Sequence, residues 1–283
     1  MLRLPTPPVV LKPLPQPSLR PLLWLLLATV TLIPLGRTVF FLPADLRVLL
    51  GLGSLAAFVR SLQAEPPRRL RSYLALAAPI VVLALAPIGT GLGLGHVALL
   101  GACFVGVLLL PSLIMRGSGV ITFKLLPERL DPVDIGYTLL SVPLAWAGFA
   151  LYFGVLSPAV PYNWSLPPEP VGAELFKLFM GINAVGIWDE LFFVNICYAL
   201  LRSLFPPRVA NPAQAVIYTS VLYDMAFTGW GPVFIYALAL TQGAMYERSK
   251  VLIWVLVVHL IVDYFLFQKI VGTYYPALEV WWH

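Results

Sequence analysis

Residues 94–115 read LGHVALLGACFVGVLLLPSLIM, a run without one Asp, Glu, Lys or Arg. About 20 such residues in a helix cross the ~30 Å hydrocarbon core of a bilayer. Inside lipid a segment must satisfy its own backbone, so the choice is a helix or a closed barrel. Comparable runs recur along the chain, at about 21–37, 39–59, 73–91, 94–115, 135–157, 172–200, 213–229, 232–246 and 251–267. Alternating strand patterns of the barrel type are absent. The expected fold is all-α, a polytopic transmembrane helical bundle with about eight or nine spans. Arg37, Asp45 and Arg47 interrupt the first two runs, which either cross fully or form a re-entrant hairpin.

Composition agrees with this class. Of 283 residues, 60% are hydrophobic and 11% charged, with a mean hydropathy of +0.88; a soluble domain could not bury so much apolar surface. The net charge of +5 does not indicate nucleic acid, because Lys and Arg do not gather with aromatic residues on a polar module. Topology accounts for them. With the N-terminus cytoplasmic and the spans alternating, fourteen of the 18 Lys and Arg residues fall on one side, leaving Arg37, Arg47, Lys177 and Lys269 elsewhere. Cys103 and Cys197 stand far apart in apolar runs without metal-ligand spacing and read as packing residues.

Residues 1–20, rich in Pro and carrying Arg3, Lys12 and Arg20, read as a disordered basic leader. No small-residue cleavage site follows it, so the first span is expected to be uncleaved. Residues 21–171 form N-terminal transmembrane helices, 172–267 a helical core with the polar site, and 268–283 a C-terminal tail. Residues 117–134 read equally as a surface segment broken at Pro127 or as a connecting loop. Asn163-Trp164-Ser165 fits a glycosylation triplet, a pattern common by chance. The expected location is an integral position in a prokaryotic plasma membrane.

Ionisable groups at membrane depth are costly unless paired, protonated or hydrated, and they mark interior or water-filled sites. Apart from span ends, the last third of the chain holds Asp189, Glu190, Asp224, His259 and Asp263, whereas the first five spans add almost nothing but His96. His259 and Asp263, four residues apart, share a helix face. There the carboxylate orients the imidazole, both share a metal, or the pair simply locks two helices. Asp189 and Glu190 point about 100° apart, so one acts while the other anchors; alternatively they pair with backbone or with Lys177. A water-activating carboxylate and a positioning group would divide the roles.

Taken in order, these segments resemble the CAAX protease and bacteriocin-processing (CPBP) family of intramembrane endopeptidases. DELFFVN is similar to the family's Glu-Glu-Leu-x-Phe-Arg-Gly, TSVLYDMAF to its Ser-Ser-Leu-Leu-Phe-Gly-x-x-His, and GAMYERSKVLIWVLVVHLIVDY to Gly-x-x-Tyr-Glu-Arg-Thr followed by His-x-x-x-Asn or Asp. The resemblance covers roughly a third of the chain. It implies that the first acidic residue, here Asp189, activates water with a His of the second motif, while His259 and Asp263 help hold the oxyanion. This sequence departs from the pattern at Asp189 for Glu, Val194 for Arg, Asn195 for Gly and Phe227 for the second-motif His. Asp224, three residues before Phe227, either forms an acidic dyad with Asp189 or Glu190 or bonds a Tyr or Trp at a helix interface.

The resulting expectation is a CPBP-type endopeptidase that hydrolyses a peptide bond in a membrane-associated peptide or protein, with lipid as its other partner and with a polar, cytoplasm-facing cavity. The alternative is a scaffold or peptide- or lipid-binding relative without hydrolysis. A divalent metal held by the five polar residues ranks below a cofactor-free site. A proton-coupled transporter ranks last, because the two halves lack matching broken helices.

Overall fold

A computed structural model of the protein describes residues 17–33, 42–156, 166–167, 172–223 and 231–278. Among these residues nine helices follow one another without a strand. They are α1 (Arg20–Leu32), α2 (Ala44–Ser61), α3 (Pro67–Leu85), α4 (Leu94–Ile114), α5 (Pro132–Leu151), α6 (Gly172–Leu204), α7 (Pro207–Leu222), α8 (Gly231–Ser249) and α9 (Leu252–Tyr274). Each coincides with one apolar run of the sequence. α4, α5 extended to Val155, α6 and α9 are long and apolar enough to cross a membrane, and the chain is an integral membrane protein. α1 has 13 residues, about 20 Å of helix, short of a full crossing. Residues 1–16, Arg37, the 163–165 triplet, Asp224 and Phe227 lie outside the described residues.

Local chemistry sets most helix boundaries. Pro occupies the first position of α3, α5 and α7, where its missing N–H is no loss. The Asp131 side chain caps α5 by accepting from the Val133 N–H at 2.8 Å. α9 has no side-chain cap; its first two N–H groups instead donate to the carbonyls of Lys124 and Leu125, at 2.9 and 3.0 Å. The 117–131 stretch is an irregular connection that supplies a backbone cap. α8 stops at Lys250, whose left-handed φ of 55° turns the chain into α9. α9 runs seven residues beyond the expected end of the span, since Lys269 can sit on a helix at its margin without breaking it.

The helices alternate in direction, and side-chain ties bring the basic ends together. Arg71 on α3 donates to the carbonyls of Ile114 and Arg116 at the end of α4. Arg248 at the end of α8 pairs with Asp131, at 2.6 Å, and with Asp134 at the start of α5. Arg202 near the end of α6 grips Glu247 through two nitrogens, at 2.9 and 3.1 Å, and Tyr198 and Lys250 add hydrogen bonds to the same carboxylate. At the opposite end, Phe179 early in α6 meets Phe267 late in α9, and Tyr152 after α5 meets Phe234 early in α8. Among the described residues, Arg47, Lys177 and Lys269 are the Lys and Arg away from the basic end.

Burial alone would push the Glu247 carboxyl up; its bonds to Arg202, Lys250 and Tyr198 outweigh burial and bring it down from an ordinary 4.5 to about 2. A folded-state value below the unfolded one adds stability above the ordinary value, and this is lost as pH falls toward the folded value. The melting temperature in detergent should thus fall between pH 4.5 and 2 in a way that Glu247→Gln does not. At neutral pH the variant should lose about 1–3 kcal/mol of stability. Parallel wild-type and variant pH profiles would show that the clamp contributes nothing.

Candidate active site

α6 is continuous for 33 residues but changes its winding in the middle. Gly172–Asp189 is α-helical, Glu190–Cys197 is π-helical and Tyr198–Leu204 is α-helical again. A π stretch places an extra residue in the turn and re-aims the side chains around it, a feature frequent at functional sites. Asp189 and Glu190 stand at this junction, both fully buried.

The two carboxylates meet one imidazole from different sides. His259 Nδ1 lies 2.6 Å from Glu190 Oε1. Because a carboxylate only accepts, we assign the proton to Nδ1. His259 Nε2 lies 3.5 Å from Asp263 Oδ1, one helical turn further along α9, and 3.8 Å from Asp189 Oδ2. The two carboxylates differ in these distances: Glu190 binds the ring, and Asp189 flanks its other edge. Lys177 is not their partner. It pairs with Glu174 at 2.6 Å and sits twelve residues, about 18 Å of helix, from Asp189.

Further residues, absent from the sequence reading, complete the arrangement. Gln242 on α8, fully buried, donates to Glu190 Oε1 at 3.1 Å and to the Val255 carbonyl at 2.8 Å, tying α8 to both α6 and α9. The Tyr218 hydroxyl on α7 lies 3.2 Å from His259 Nδ1. Gly186, one turn before Glu190, lets α9 approach: a Cβ there would lie 2.1 Å from Asp263 Oδ2 and 2.7 Å from His259 Cδ2. The available signals were a lone amide in the apolar run of α8 and a polar-tipped aromatic in α7.

A cavity of about 320 Å³ reaches this group. Asp189, His259, Asp263 and Tyr218 line it, whereas Glu190 does not. Among the described residues, one oxygen each of Asp189, Glu190 and Asp263 is buried without a partner. The remaining wall is mainly apolar, from α4 and the first half of α6, with His96 at its far end, 3.2 Å from the Gly89 carbonyl. Below the site an aromatic stack closes the space. Trp188 stacks on Phe104 at 3.9 Å and donates to its carbonyl at 3.0 Å, and Phe192 and Phe193 pack against it. The expected polar cavity is thus corrected on one point: its wall is largely apolar, and it lies in the half of the bundle remote from the basic ends. The helix direction that puts Asp189 before the basic end of α6 is the reason.

Among the described residues no three His, Cys, Asp or Glu side chains are placed to hold an ion.

Residues 171–265, about a third of the chain, match the family model of the type II CAAX prenyl endopeptidase Rce1-like proteins. This match supports CPBP family membership for the region. No curated protein and no solved structure matches the chain. The CPBP region contains Asp189, Glu190, Tyr218, Gln242, His259 and Asp263, while the α4 wall and Phe104 come from outside it.

The family's Gly-x-x-Tyr-Glu-Arg segment has a distinct partner for each named residue. Gly243 admits the side chains of Asn211 and Gln214 on α7. Tyr246 donates to Asn195 Oδ1 in the π segment at 2.5 Å. Glu247 holds Arg202, and Arg248 holds Asp131 and Asp134. Val194, at the position of the family's Arg, is fully buried in the apolar core.

Gly186→Ala should cost about 1–3 kcal/mol, because α6 and α9 must separate to admit the methyl group. Adding Asp263→Ala removes the nearest obstacle and should restore part of the melting temperature; additive losses in the double variant would show that the two positions are not in contact.

Proposed function

We propose that the protein is an intramembrane endopeptidase in which Asp189 activates the attacking water and His259 stabilises the developing oxyanion. The observation that carries this reading is the split of the acidic pair: Asp189 lines the cavity beside His259 Nε2, while Glu190 holds Nδ1 from outside it. The buried Asp189 Oδ1, which has no partner, provides an acceptor for a proton.

In the proposed step water attacks the scissile carbonyl carbon as Asp189 takes its proton. The carbonyl π electrons move to oxygen, and Nε2 of His259, when protonated, donates to that oxyanion. On collapse the C–N bond breaks, the amine leaves with the proton held by Asp189, and the new carboxyl group completes the balance. Asp263, beside Nε2, and Glu190, at Nδ1, fix the ring between them. Gln242 positions Glu190 and acts through it. The family match supports the kind of reaction; the assignment of roles rests on the geometry.

The second reading is a non-hydrolytic scaffold or binding relative, favoured by the burial of Val194 where the family carries a cation.

The test is cleavage of membrane-tethered peptides in proteoliposomes. Asp189→Asn should lower kcat by about 10²–10⁴-fold, the range of a lost general base. His259→Ala should lower it by about 10²–10³-fold, as for a lost oxyanion donor. Glu190→Gln should cost less than Asp189→Asn, because the amide still accepts from Nδ1. A larger loss at Glu190 than at Asp189 would reverse the two roles. A folded wild-type protein that cuts no peptide under conditions where another family member does would favour the scaffold.

A further inference from the structure

The cavity has a direction. Its wall is built from the first turns of α4, the first half of α6, the end of α7, the start of α8 and the later part of α9. Since the helices alternate, every one of these parts belongs to the half of the bundle away from Arg71, Arg116, Arg202 and Arg248. The cavity follows α6 from Lys177 to Asp189, twelve residues or about 18 Å.

Exposure marks the mouth. Val97 on α4 and Lys177, Gly181 and Ala184 on α6 both line the cavity and are exposed, so the gap between these two helices is open. A Cβ built at Gly181, or at Gly101 across the gap, meets nothing within 4 Å. Toward the basic end the Phe104–Trp188 stack, with Phe192 and Phe193 behind it, fills the space, and the Arg202–Glu247 clamp ties the helix ends beyond.

We infer that substrate reaches the site from the end of the bundle opposite the basic one, through the gap between the first turns of α4 and the first half of α6. Under the positive-inside rule that end is extracytoplasmic. The occupant is an extended peptide segment of a membrane-anchored protein presented on that side. A cavity of about 320 Å³ stands at the small end of ligand sites and suits a short stretch of chain, not a folded domain. The class of occupant rests on the proposed endopeptidase reading; the direction of access does not.

Labelling with a membrane-impermeant maleimide tests it, applied to each face of oriented sealed vesicles. The background carries Cys103→Ala, Cys197→Ala and Asp189→Asn, so access is read without turnover. Ser118→Cys marks the basic end and Thr273→Cys the opposite end; both positions are exposed. Gly181→Cys should label from the Thr273 side alone, and Ala184→Cys serves the same purpose if the first variant does not fold. Labelling of the cavity cysteine from the Ser118 side, or from neither side, overturns the proposal. A Thr273 marker that labels from the cytoplasmic face overturns the extracytoplasmic assignment. Labelling as expected, together with a folded wild-type protein that cuts no peptide in the proteoliposome assay, would remove the endopeptidase reading and leave the route intact.

Discussion

The hydrogen bond between Glu190 and His259, 2.6 Å long and shut away from solvent, couples two helices whose positions decide everything else at the site. Neither group can be left alone at membrane depth, because an unpaired carboxylate in an apolar core costs several kcal/mol. α6 and α9 must therefore meet at this height and at this rotation. Gly186 makes the approach sterically feasible, and Gln242 adds a third helix by donating to Glu190 and to the α9 backbone. Once the ring is held through Nδ1, Nε2 has, among the described residues, Asp189 and Asp263 beside it, with the cavity before it.

The bundle separates this work from the work of holding itself together. Near the basic end, Tyr246, Glu247 and Arg248 occupy successive positions on α8, so their side chains leave the helix in different directions. They reach, respectively, the π segment, the end of α6 and the start of α5. One turn of one helix thus fixes the rotation of α8 against two others. The Tyr246–Asn195 bond ends on the π stretch itself, so the clamp also bears on the segment whose winding aims Asp189 and Glu190.

How much of this was legible follows from the range of the interactions. The nine apolar runs are local signals, and each became a helix, with errors at the ends where Pro207 or Lys269 set or failed to set a boundary. His259 and Asp263 were readable as one face because four residues on a helix suffice to say so. The partition of Asp189 from Glu190 was half readable: the angle between them implies different roles, but which of them faces the cavity depends on α4 and α9. Gln242 and Tyr218 carry no local mark of function and matter only because α7 and α8 arrive beside the imidazole. Gly186 was silent for the same reason, since its requirement is the proximity of Asp263. The position of the cavity in the half of the bundle away from the basic ends was not read, because it depends on residue depth along α6 followed through the alternation of the helices.

The shorter acid at position 189 fits this geometry. Asp189 reaches to 3.8 Å from Nε2, beyond hydrogen-bonding distance, and keeps one oxygen without a partner. With Gly186 drawing α9 against α6, a side chain longer by a methylene would extend toward the ring and Asp263, whose oxygen already stands where a methyl group on residue 186 would be. Retraction of the carboxylate therefore preserves a gap between Asp189 and the imidazole. On the proposed endopeptidase reading the base and the oxyanion donor act on neighbouring atoms of one reacting group, so they must not be bonded to each other. The close helix approach and the short acid are in this sense one adaptation: each makes sense of the other, and the departure from the family's Glu is consistent with a site that retains room for chemistry.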